Sequence, residues 1–134
     1  MPSSTAPNST GPSSVGPSAI GLSTYSFFWQ WHETAPRPLS LAEIVAKTAS
    51  WDVDLLQLCD YTALDRYDAA QAADLAAIGG DLGVAYELGT RGLDTAHLLH
   101  YLELAGRLDV TLVRSMVKSE EIADASELLA KVVP

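Results

Sequence analysis

The sequence repeats one pattern four times: an extended apolar run, a polar turn and an amphipathic helical stretch. The apolar runs begin at Ile20, Val53, Val84 and Val110, at intervals of roughly 25–35 residues, which is the length of one βα unit. Repeated βα units favour a parallel sheet covered by helices. Four units are half of an eight-stranded β/α barrel. The spacing therefore predicts an α/β half barrel, with parallel strands in the order 1-2-3-4 and helices outside.

Composition is consistent with one globular unit and argues against several classes of protein. Hydrophobic residues make up 48% of the 134-residue chain, and its formal net charge is -9 at pH 7. An acidic chain is a poor match for a nucleic-acid backbone, which binds basic surfaces. The sequence shows no apolar run of the ~20 residues needed for a membrane span, and no secretory signal pattern. With a single cysteine, Cys59, we expect a cytoplasmic protein without nucleic-acid or membrane partners.

The first 18 residues differ in composition from the rest of the chain. They are rich in Ser, Thr and Pro and contain no charged side chain. Such a segment buries too little apolar surface to offset the entropy of ordering. We therefore expect residues 1–18 to be a disordered tail and residues 19–134 to be the folded unit.

Local signals set the predicted boundaries of the elements. Strands are predicted over 20–27, 54–59, 84–88 and 110–115, and helices over 41–50, 69–82, 95–108 and 119–132. Ser40 and Glu43 form a capping-box pattern at the first of these helices. The second helix is predicted to stop near Gly79 and Gly80 or at Gly83, and Thr95 is the predicted N-cap of the third.

Four segments, taken in order, resemble one known family. They are IGLSTYSFFW, VDLLQLCDY, YELGTRG and VTLVRSMV. Together they resemble the N-terminal half of the sugar phosphate isomerases/epimerases, the xylose isomerase-like TIM barrels. The resemblance implies a metal-dependent sugar or sugar-phosphate isomerase or epimerase that moves a proton next to a carbonyl group. It also implies a small-molecule sugar or sugar phosphate as substrate, and Mn²⁺, Mg²⁺ or Zn²⁺ as cofactor of a full-length relative.

The resemblance places the family's metal ligands and acid/base residues at strands five to eight, and this sequence ends before a fifth strand. No catalytic residue and no metal ligand is therefore carried over, and we expect the chain alone to be inactive and without a tight metal site. Two alternatives stay open. One is a stand-alone half-barrel binding module that forms a homodimer through its exposed face. The other is an AP-endonuclease-like phosphodiesterase, which the acidic charge disfavours.

Candidate substrate-binding residues lie at the carboxyl ends of the predicted strands, where β/α barrels carry their active sites. They are Tyr25, Trp29, His32, Gln57, Asp60, Glu87, Arg91 and Arg114. Strand alternation places Gln57 and Glu87 on the inner face of the sheet. Val113 is predicted to share that face.

The chemistry of these candidates leaves several roles open. Glu87 needs a partner inside a barrel, and Arg91 or Arg114 can be that partner or can bind a substrate carboxylate or phosphate. The segment 89–92 is predicted to be a tight loop with free N–H groups for an anion. The aromatic segment 27–31 either lines a sugar site or covers the core. His97, His100 and Glu103 are predicted to face solvent, on a helix whose core face includes Leu98, Leu99, Tyr101, Leu102 and Ala105.

Overall fold

Four parallel strands form one sheet in the computed structural model, which describes residues 20–133. The strands are β1 (Gly21–Ser23), β2 (Leu55–Cys59), β3 (Ala85–Arg91) and β4 (Val113–Met116). Each pairs in parallel with its neighbour, and the order is β1-β2-β3-β4. The predicted strand order and direction are confirmed. The predicted tail at residues 1–18 lies outside the described residues.

The strands are connected by helices, and the three longest of these begin at side-chain caps. The α-helices are α1 (Phe28–Trp31), α2 (Leu41–Ser50), α3 (Ala69–Leu82), α4 (Thr95–Arg107) and α5 (Ala125–Ala130). Both α2 and α3 have the predicted boundaries, because the Ser40–Glu43 capping box starts α2 and Gly83, at φ 68°, ends α3. The N-cap of α4 is Asp94, whose side chain accepts a hydrogen bond from the His97 N–H, so the prediction of Thr95 was wrong by one residue.

Four predicted elements differ from the structure by more than one residue, and one of them is the third strand, predicted over 84–88 and observed over Ala85–Arg91. The strand predicted over 20–27 ends at Ser23, and a 3₁₀ turn (Thr24–Phe27) and α1 replace its second half. The Thr24 hydroxyl causes this change, because it donates to the Cys59 carbonyl and accepts from the Cys59 N–H. At the other end, β4 begins at Val113, and the helix predicted over 119–132 is divided into a 3₁₀ turn (Ser119–Glu121) and the short α5.

The sheet buries one face beneath the helices. Leu56, Leu58 and Leu88 are fully buried, Tyr86 nearly so, and all four belong to the core formed with α2, α3 and α4. Burial of each such side chain stabilises the fold by about 1.5–3 kcal/mol. Val113 pairs in register with Leu88 and packs against this core, so its predicted place on the inner face was wrong. The inner face is therefore the one that carries Gln57 and Glu87.

The contact between α3 and β3 gives a test of this packing. A Cβ atom at Gly79 would lie 2.6–2.7 Å from ring atoms of Tyr86, and the Tyr86 hydroxyl donates to the Leu75 carbonyl at 2.9 Å. We expect Gly79→Ala to lower the free energy of unfolding by about 1–3 kcal/mol, because the buried ring must move. Urea denaturation measures the change.

Gly80 is the matched control, since it lies in the same helix and nothing stands within 4 Å of a Cβ placed there. Gly80→Ala should raise stability by up to about 1 kcal/mol through helix propensity. Equal effects of the two substitutions would contradict the close approach of Tyr86 to α3.

Candidate functional site

A row of polar side chains crosses the inner face near the carboxyl ends of the strands. Gln57 on β2 pairs in register with Glu87 on β3, and its Nε2 donates to Glu87 Oε2 at 3.0 Å. Arg114 on β4 brings Nη2 to 4.0 Å from the same oxygen. The Glu87 side chain is 25% exposed and that of Arg114 is 55% exposed. These three side chains come from neighbouring strands and form one polar surface.

Cys59 and Gly89 form a neutral patch beside this row. They pair in register, and a Cβ atom at Gly89 would lie only 2.1 Å from the Cys59 sulfur. The sulfur therefore occupies the space that any side chain at residue 89 would need. Burial raises the pKa of the Cys59 thiol, so the group stays protonated near neutral pH. It contributes bulk to the surface rather than a nucleophile.

Asp60 and Arg91 join the ends of β2 and β3. Arg91 Nε donates to Asp60 Oδ1 at 2.7 Å, and Arg91 Nη2 donates to Oδ2 at 2.9 Å, a bidentate ion pair. These hydrogen bonds from Arg91 lower the pKa of the Asp60 carboxyl. Of the two arginines considered as partners for Glu87, Arg91 thus binds Asp60, and Arg114 is the one that approaches Glu87.

The segment 89–92 does not form the predicted anion-binding loop. Strand β3 continues through Arg91, because β4 pairs with it as far as Arg91 opposite Met116. The Gly92 N–H donates to the Met116 carbonyl at 2.8 Å, and the Leu93 N–H donates to Glu121 Oε1 at 2.8 Å. The N–H groups at this strand end are therefore already used within the fold.

The aromatic segment after β1 is divided between the core and the surface. Phe27 is buried and stacks on Trp51, with ring centroids 5.6 Å apart. Trp29 is 80% exposed and Tyr25 is 62% exposed. Phe27 therefore belongs to the core, while a sugar site lined by the exposed side chains of this segment stays a prediction.

Phe28 lies at the centre of the surface part of this segment. Its ring centroid is 4.6 Å from that of His32 and 5.2 Å from that of Trp31. Trp31 in turn reaches Tyr61, which follows β2. In the described range, His32 Nδ1 makes its hydrogen bond with the Thr34 hydroxyl at 3.0 Å, so His32 belongs to the aromatic group and not to the polar row.

A pocket of about 180 Å³ lies beside the end of β3, and sequence reasoning missed it. Its lining includes Asp60, Tyr61, Thr90, Arg91, His97 and Lys118. His97 Nε2 and the Thr90 hydroxyl are 2.5 Å apart. Burial, followed by the hydrogen bond to Asp65, raises the pKa of Tyr101, whose hydroxyl donates to Asp65 at 2.9 Å.

The prediction that His97 and His100 face solvent was wrong. Both are half-buried, and His100 Nε2 lies 2.9 Å from the Leu64 carbonyl oxygen. Leu99 and Leu102, assigned to the core, are exposed instead. Helical spacing alone did not determine which side of α4 meets the sheet. The prediction for Glu103, exposed and paired with Arg107, is confirmed.

The described residues do not fit the divalent metal that the sequence resemblance implies. Within residues 20–133, no group of three or more His, Cys, Asp or Glu side chains converges so that it could hold a metal ion. Asp60 is engaged by Arg91, and Glu87 is engaged by Gln57. These side chains therefore support no reaction step through a metal. Over the same range, no helix combines the length and apolar character needed to cross a membrane.

Comparison with known proteins finds similarity at the level of sequence and at the level of fold. No family model matches the chain. Over 98 residues it is 46% identical to 3-oxo-isoapionate decarboxylase from Pectobacterium atrosepticum, a match that covers 73% of this chain and 36% of that protein. The chain thus spans about a third of the length of this relative.

Solved structures show the same fold. A crystal structure of D-psicose 3-epimerase in the presence of D-fructose matches 71% of this chain and 36% of its own, with a TM-score of 0.55 and 17% identity. D-psicose 3-epimerase from Clostridium cellulolyticum H10 with D-tagatose matches 84% of this chain and 49% of its own, with a TM-score of 0.58 and 16% identity. The four βα units therefore have the fold of part of a TIM barrel.

The Asp60–Arg91 pair gives a pH-dependent prediction. The folded-state pKa of Asp60 is lowered, so the pair stabilises the fold above the unfolded pKa, about 3.9, and this contribution is lost as pH falls through the folded pKa. We expect Asp60→Asn to lower stability at pH 7 by about 0.5–1 kcal/mol, the scale of a partly exposed bidentate pair. Urea denaturation at pH 7 and in strong acid measures the difference.

Asp52→Asn is the control, because Asp52 has the same φ of 55° and forms no ion pair with any described residue. Asparagine tolerates this left-handed backbone conformation, so the control separates charge from conformation. A loss for Asp60→Asn that persists unchanged in strong acid would contradict the electrostatic origin.

Proposed function

We propose that this chain forms the N-terminal half of a TIM-barrel enzyme that acts on a sugar-derived carbonyl compound. The polar row on the inner face carries the proposal, since Gln57, Glu87 and Arg114 meet there while the large apolar strand residues lie under the helices. Barrel enzymes place their active sites at this end of the strands. The decarboxylase relative and the epimerase fold support a sugar-derived substrate.

Epimerisation and decarboxylation share an intermediate that such a site can bind. In an epimerase, the C–H bond next to the carbonyl breaks and its proton passes to a base. In the decarboxylation of a 3-oxo acid, the C–C bond to the carboxylate breaks and CO₂ leaves. In both reactions the electron pair moves toward the carbonyl oxygen, and the enzyme stabilises the resulting enolate. The proposal covers the isomerase or epimerase activity predicted from the sequence and the decarboxylation named for the relative.

The residues of this chain are proposed to bind and orient the substrate. The Gln57 carbonyl oxygen and the Glu87 carboxylate can accept hydrogen bonds from sugar hydroxyl groups. Exposed Trp29 and Tyr25 offer flat apolar faces at the rim. The Asp60–Arg91 pair joins the ends of β2 and β3. We assign no catalytic role in this chain, and we propose that the acid/base groups and the divalent metal site belong to further βα units.

The isolated chain should therefore lack tight metal binding and turnover. We expect calorimetric titration of the 134-residue chain with Mn²⁺ or Mg²⁺ to show no stoichiometric micromolar site, because its described carboxylates and histidines do not converge. Assays with D-psicose and with 3-oxo-isoapionate should show no product. Reading the coding sequence after Pro134 complements these measurements, because we expect it to continue into further βα units. A tight metal site or turnover by the isolated chain would contradict this division of roles.

A second candidate function is a non-catalytic half barrel that pairs with a second copy of itself. The observation that favours it is a strip of exposed apolar residues along β4 and the segment after it. The strip consists of Leu112, Met116, Val117 and Ile122, of which Met116 is 60% and Ile122 is 66% exposed. Strands β1 and β4 are also edge strands, and unpaired edges favour association.

Sedimentation velocity tests this pairing. If the second candidate is right, the chain sediments as a homodimer, and Met116→Lys shifts it to monomer by placing a charge in the interface. Leu99→Lys on α4 should leave the dimer unchanged, because Leu99 is exposed on a helix outside the strip. A stable monomer at high concentration that unfolds cooperatively would rule out the homodimer.

A further inference from the structure

We infer that Arg114 binds a carboxylate group of the substrate, so that the enzyme recognises a sugar acid rather than a neutral sugar. This inference rests on the proposed function and names its substrate class. The two arginines of the sheet differ in their hydrogen bonds. Arg91 donates two hydrogen bonds to Asp60, whereas Arg114 makes no hydrogen bond within residues 20–133. Its guanidinium therefore keeps its donors available.

Glu87 forms a long ion pair with Arg114 and accepts a hydrogen bond from Gln57 through the same oxygen. The Gln57 amide donates to Glu87 Oε2 at 3.0 Å, while Arg114 Nη2 stays 4.0 Å from that oxygen. A distance of 4.0 Å is too long for a hydrogen bond. The guanidinium is also 55% exposed on the inner face. An arginine in this state can offer its planar pair of donors to a carboxylate from outside.

The surface next to Arg114 leaves room for such a group. Its register partner is Gly89, which has no side chain, and the neutral Cys59 thiol covers that glycine. The surface over Gly89 and Cys59 is uncharged, and Glu87 is the carboxylate that remains close to Arg114. Arg91 lies two residues further along the strand of Gly89, but its charge is paired with Asp60, so Arg114 is the arginine of the sheet with donors available to a ligand.

Charge distribution supports an anionic ligand at this end of the sheet. The chain has 17 acidic and 8 basic residues, yet Arg91, Arg114 and Lys118 all lie at or just after the carboxyl ends of β3 and β4. Asp60 pairs with Arg91, and the Glu121 carboxylate accepts a hydrogen bond from the Lys118 N–H, whereas Arg114 has only Glu87 at 4.0 Å. Glu87 repels a doubly charged phosphate more strongly than a singly charged carboxylate. We therefore favour a carboxylate over the phosphate of a sugar phosphate.

Binding measurements on the gene product at its native length test the inference. The probes are D-xylonate as the sugar acid, D-xylulose as the neutral sugar and D-xylulose 5-phosphate as the phosphate, each titrated by calorimetry. We expect D-xylonate to bind tightest. Arg114→Gln should weaken D-xylonate binding by about tenfold or more and leave D-xylulose binding unchanged. Glu87→Gln should strengthen D-xylonate binding by removing a nearby negative charge, an opposite sign that a purely structural role would not produce.

Arg107→Gln is the control, because Arg107 lies on α4 and pairs with Glu103; it should change neither affinity. Equal weakening of acid and neutral probes by Arg114→Gln would overturn the inference, as would tightest binding of the phosphate. Binding of D-xylulose with no preference for D-xylonate would overturn the inference and leave the proposed function intact. Binding of no probe at all would overturn both.

Discussion

The one-sided burial of β2 and β3 determines the rest of this structure. Leu56, Leu58, Tyr86 and Leu88 alternate along the two central strands and pack beneath α2, α3 and α4. Because side chains alternate between faces, the same backbone must send Gln57, Cys59, Glu87 and Gly89 to the other side. Parallel sheets are normally covered on both faces. In a barrel the uncovered face becomes the interior, which is why polar groups on it are informative about function.

Elements whose limits depend on nearby residues were predictable from the sequence. The boundaries of α2 and α3 follow from Ser40 with Glu43 and from Gly83, all within the elements or next to them. Elements whose limits depend on distant residues were not predictable. The end of β1 depends on hydrogen bonds between Thr24 and Cys59, and the length of β3 depends on its pairing with β4. Neither contact leaves a trace in local composition.

In the candidate site, too, features set by the local backbone were predictable and contacts between distant residues were not. Alternation and strand ends identified Gln57, Glu87, Arg91 and Arg114, because those positions follow from the backbone alone. The pairing between them depends on side-chain contacts that alternation does not fix. Arg91 binds Asp60, and Gln57 donates to the Glu87 oxygen that lies 4.0 Å from Arg114. The contact of His97 with Thr90 was missed because it depends on how α4 is rotated over β3. These contacts separate the arginine that fixes the fold from the one available to a ligand.

We propose that the four βα units present the inner face of a barrel to a sugar-derived substrate. A crystal structure of the gene product at its native length, grown with a sugar acid, tests it most directly. The account predicts a ligand against Gln57, Glu87 and Arg114, inside a ring in which β1 and β4 each pair with a further strand. A ligand bound outside the ring among the helices, or a sheet that ends at β1 and β4 and buries its polar face under its own chain, would contradict the account.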